Sequence, residues 1–163
     1  GLYLHPDVLE NLQKYRPDDG LNQNNFEDFC SAVEGVSHFL FVDHRAKLDL
    51  PLSAVELELQ AEVDKFVTIF FYFHAQDRNV ALTSENQNLL LNHLFQAFRL
   101  RPHLNLEEIE RYETASNAAA KICKFLSDQY LRKKPKWNEL FDFLRKFYRR
   151  GFYGKITALS HSG

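Results

Sequence analysis

Apolar residues along the chain return at spacings of three and four, the interval at which one face of an α-helix comes round again, and they do so in six blocks. The first is short. Val8, Leu9 and Leu12 follow Pro6 and Asp7, a pair suited to a helix first turn, and Arg16 before Pro17 closes it. Pro17–Gly20 then reads as a turn, and the polar run Asn22–Asn25 leads into a second block built on Phe26, Phe29, Cys30, Val33 and Leu40. Gly35 weakens this block and Phe39–Val42 also suits a strand, but the period favours a helix. Asp43–Leu52 is expected to be a connector, because Pro51 holds its predecessor extended.

Ser53 and Glu56 form a capping-box pattern ahead of a long predicted helix over 54–75, striped by Leu59, Val63, Phe66, Val67 and Phe70. Its last turns, VTIFFYF, are apolar all round, which marks the central helix of a bundle. A buried strand is the rival reading. Glu56, Glu58, Glu62 and Lys65 argue against it by carrying the helical period into the run without a break. After a polar loop, Gln76–Thr83, Ser84 and Gln87 repeat the capping pattern before Leu90, Leu91, Leu94, Phe95 and Phe98, and Pro102 stops the helix at Arg101.

Asn105 with Glu108 opens the longest predicted helix, whose seam runs through Leu106, Ile109, Tyr112, Ala119, Ile122, Cys123, Leu126 and Tyr130. Ala115 and Ala118–Ala120 allow a neighbour to come close. Pro135 starts the last helix, where Trp137, Leu140, Phe141, Leu144, Phe147 and Tyr148 share one arc and Arg145, Lys146, Arg149 and Arg150 the other. Asp142 is placed to pair with Lys146, Gly151 to take a left-handed stop, and Phe152 to fold back on Phe147. The expected architecture is all-α, a single compact bundle or short irregular helical stack of about six helices, with one domain over 1–155 and a flexible tail over 156–163.

Composition adds to this picture. A chain of 163 residues with 45% hydrophobic content can bury one sizeable core, and fifteen Phe with no Met make that core one of rigid rings. No apolar run approaches the roughly 20 residues that span a bilayer. Cys30 and Cys123 fall on apolar faces and read as buried free thiols of a reducing compartment, cytoplasmic or nuclear. The leading Gly1 and the missing Met are read as marks of a segment taken from a larger intracellular protein.

Net charge is −2, yet Tyr130–Lys155 holds nine Lys/Arg against two Asp/Glu, while the residues before it hold eleven against twenty. A polarised molecule is therefore expected. The seven histidines include no pair four residues apart, neither cysteine lies in a two-cysteine motif, and the six glycines never gather into a phosphate-cradling loop. Carboxylate pairs such as Glu56 with Glu58 read as solvated helix faces, and His44 beside Asp43 is the histidine with the most distinctive neighbour. No nucleophile sits in a recognisable setting, so neither catalysis, nor a cofactor or metal, nor a small-molecule substrate is expected.

The function that follows is protein–protein interaction, as in a scaffold or adaptor. Its contact surface is expected at Lys133, Lys134, Lys136, Arg145, Lys146, Arg149, Arg150, Phe152 and Tyr153, facing an acidic segment or an amphipathic helix. Nucleic acid is the first alternative, with these cations on phosphates and Trp137, Phe152 or Tyr153 under bases. An anionic membrane surface is the second. Both compete with the plainer reading in which the aromatic arc is core. Phe71, Tyr72 and Phe73 are candidates to line a partner groove wherever the central helix is left uncovered.

Overall fold

The computed structural model describes residues 1–76, 83–95, 105–132 and 135–157, and within them every regular element is helical. The order is α1 (Pro6–Lys14), a 3-10 turn (Pro17–Asp19), α2 (Phe26–Lys47), α3 (Ala54–Gln76), α4 (Ser84–Phe95), α5 (Leu106–Leu126, running on into a π-helical turn at Ser127–Leu131), α6 (Trp137–Tyr148) and α7 (Phe152–Thr157). The expected all-α stack is what forms. The strand reading of the VTIFFYF run is excluded, and the run ends α3.

The long helix α3 lies between α2 and α5 and packs extensively on both, while α1 rests on α2. Leu59, Val63, Phe66 and Ile69 of α3 meet Ala119, Ile122, Cys123 and Leu126 of α5, with Leu140 and Phe147 of α6 in the same cluster. Each large side chain so enclosed contributes about 1.5–3 kcal/mol relative to exposure. Ala115 and Ala119 are buried at the seam, where a small side chain lets backbones approach. Aromatic rings fill the far side: Phe71 stacks on Phe141 at 5.5 Å, and Phe143 lies against Phe125, Tyr130 and Phe147.

Several local expectations need correction. The helix α2 runs on to Lys47 and takes in half of the supposed connector, since no breaker precedes Asp49 and the basic His44, Arg45 and Lys47 suit its negative end. Ser53 accepts from the Glu56 amide at 3.2 Å, but the Glu56 carboxylate turns to Arg45 at 3.5 Å, so only half of that capping box exists. At α4 the cap is Thr83, which accepts from Asn86 N at 3.2 Å. Gln87 is instead buried, accepting from Ser127 Oγ at 2.5 Å and donating to the Leu131 carbonyl at 3.3 Å, which supplies the π-helical turn with partners. Asn105 and Glu108 form the full reciprocal box, both bonds at 2.9 Å.

At the end of the chain Gly151 does not take a positive φ, and the residues after it form α7. Ile156 packs against the core and Thr157 is helical; residues 158–163 lie outside the described part. The predicted extensions of α4 over 96–101 and of α5 over 133–134 also lie outside it.

Candidate functional site

The hydrophobic seam of α6 is turned inward. Leu140 and Phe147 are fully buried, and Trp137, Phe143 and Leu144 pack against the same cluster, with Trp137 touching Phe70, Phe71 and His74. What remains outside is polar. Lys136, Arg145, Lys146, Arg149 and Arg150 are all exposed, together with Glu139 and Asp142. Phe141 is 40% exposed and Tyr153 is 84% exposed, so two rings border these cations, while Phe152 is half-buried against the core. Lys133 and Lys134 lie outside the described residues.

Ion pairing is uneven across this face. Asp142 takes Arg145 at 2.9 Å rather than Lys146, and Glu139 takes Lys136 at 3.6 Å. Arg150 donates to the Gly154 carbonyl at 3.3 Å and so braces the approach to α7. Lys146 and Arg149 have no ion pair among the described residues. Between them they leave two cations one turn apart facing solvent.

Of the two remaining cations of the basic stretch, Arg132 pairs with Asp128 at 2.9 Å, whereas Lys155 behaves differently. Lys155 is completely buried, with Nζ donating to Gln60 Oε1 at 2.6 Å and lying 4.1 Å from the Phe41 ring centroid and 5.1 Å from that of Phe147. Gln60 in turn donates to Asp64 at 2.8 Å, and Ser37 donates to the same carboxylate at 2.6 Å. Burial pushes the Lys155 ammonium down to about 7, against the pull of Glu56 and Asp64. Burial likewise raises the Asp64 and Glu62 carboxyls.

This polar seam overturns the reading of the α3 carboxylates as solvated. Glu56, Glu58, Gln60, Glu62 and Lys65 of α3 are all buried, with Arg45, His38 and Glu34 of α2 and Lys155 of α7 as partners. Sequence periodicity missed it because the neighbours of α3 cover its polar side as well as its apolar one. His44 lies against the Tyr148 ring at 5.0 Å, while Asp43 pairs with Lys47 at 2.6 Å. Cys30 and Cys123 are free and buried, and burial raises both thiols, Cys30 to about 12.

The three aromatic residues proposed as groove liners divide. Phe71 is covered by Trp137 and Phe141, and Tyr72 lies against Phe29. Phe73 lines a cavity of about 800 Å³ together with Leu21, Phe26, Phe70, Leu90 and His93. No helix among the described residues is long and apolar enough to cross a membrane. Comparison with protein-family models, curated proteins and solved structures finds no match for this chain.

Proposed function

We propose that the chain is a non-catalytic protein-interaction module whose outer α6 face receives an acidic partner, best an amphipathic helix rich in Asp and Glu. The observation that carries this reading is the pair Lys146 and Arg149, exposed and without an ion pair among the described residues, between Arg145 and Arg150 and beside the exposed rings of Phe141 and Tyr153. Cations already engaged by a neighbouring carboxylate give little to a partner; unengaged ones steer the encounter and fix its register. The backbone beneath them is held by the buried seam of Leu140 and Phe147, so little ordering cost accompanies binding. Exposed aromatic rings next to Arg are the usual composition of interface anchors.

The same geometry favours protein over the alternatives. With the aromatic seam turned to the core, Phe141 and Tyr153 are the exposed large apolar side chains of α6 and α7 among the described residues, few to enter an acyl layer. Trp137, the best base-stacking plane in the sequence, is engaged by Phe70, Phe71 and His74. Fluorescence anisotropy of a labelled Glu-rich amphipathic peptide tests the reading. Binding is expected to weaken about tenfold or more in the double variant Lys146→Glu/Arg149→Glu and to return when the peptide carries Lys in place of Glu. Equal affinity for wild type and double variant contradicts it. Tight, steeply salt-dependent binding of a labelled single-stranded oligonucleotide, with none of the peptide, transfers the face to a nucleic acid.

A further inference from the structure

Away from that face, the buried seam between α2 and α3 gathers metal-ligating side chains. Glu34 and His38 stand one turn apart on α2, and Glu58 of α3 faces them, so that one donor atom from each lies within 4.8 Å of the others. Nε2 of His38 has no solvent access and no hydrogen-bond partner among the described residues. Glu58 Oε2 is 3.6 Å away, too far for a hydrogen bond, and the Glu58 side chain is 10% exposed. Among the described residues Glu58 accepts no hydrogen bond at all. A buried carboxylate and a buried imidazole nitrogen thus point at one another across a gap that neither fills.

Lys65 of α3 stands beside the gap, 3.1 Å from Glu34 and 2.7 Å from Glu62. From these positions we infer that Glu34, His38 and Glu58 form a binding site for a divalent transition-metal ion of the zinc class. One imidazole with two carboxylates is a donor set that suits zinc, cobalt or manganese better than calcium or magnesium, which prefer oxygen alone. Ligands of a tetrahedral zinc ion stand about 3.4 Å apart when bonds are about 2.1 Å. Rotation of the two Glu side chains closes the difference.

The test is titration of the protein with zinc chloride, followed by calorimetry and by thermal melting. One equivalent is expected to bind with a rise in Tm, and His38→Gln and Glu58→Gln are each expected to weaken binding by about tenfold or more, whereas His93→Gln, on a surface pair with Glu27, leaves it unchanged. Because a buried substitution can impair folding, wild type is also followed by ¹H–¹⁵N spectra of the imidazoles, where zinc is expected to move Nε2 of His38. The inference is overturned by zinc that does not bind, by binding that survives both substitutions, or by a His38 ring that zinc leaves unmoved.

Discussion

Lys155 shows how much one side chain does here. It closes a six-residue helix onto the body of the protein by reaching Gln60 on α3 while lying between Phe41 of α2 and Phe147 of α6. A helix so short does not persist in water without such an anchor. Its amine titrates near 7 in the folded chain against 10.5 ordinarily, so between those values the unfolded chain holds a proton that the folded chain has released. By linkage, stability from this group rises as pH climbs from about 7 towards 10. Melting curves of wild type and Lys155→Met are therefore expected to diverge in favour of wild type over that interval, and a constant difference in Tm contradicts the assignment. Asp64 and Glu62, raised by burial, act in the other direction at lower pH, because there the folded chain holds the extra proton. None of this was legible in the sequence. A lysine two residues past Tyr153 looks like one more surface cation, and only the crossing of α7 over Phe41 encloses it.

Helix signals that are local carry through to the structure. Asn105 and Glu108 predict a reciprocal cap and make one, and Asn105→Ala is expected to cost about 1 kcal/mol in urea unfolding, with a loss near zero contradicting the cap. Signals that tertiary contacts outbid do not carry through to the structure. The Ser84–Gln87 spacing matches that of Asn105–Glu108, yet Gln87 is drawn to Ser127 and Leu131 and the cap passes to Thr83. Glu56 likewise leaves Ser53 for Arg45. The mixed Glu34–His38 pair carries no histidine–histidine spacing to mark it, and its third donor, Glu58, is brought opposite by the packing of α2 on α3.

For the molecule as a whole, the sequence-level charge split is partly internal. Glu56, Glu58 and Glu62 are buried together with Arg45 and Lys65, and Lys155 is withdrawn from the basic stretch, while Arg145, Lys146, Arg149 and Arg150 stay exposed. Their arc is what the aromatic seam of α6, itself predicted from spacing, holds outward. The decisive measurement is a ¹H–¹⁵N correlation spectrum of the protein titrated with a Glu-rich amphipathic peptide. Amide shifts are expected to concentrate between Asn138 and Tyr153, strongest around Lys146 and Arg149. Saturable shifts confined to α1, α2 or α4, with α6 unmoved, would contradict the account.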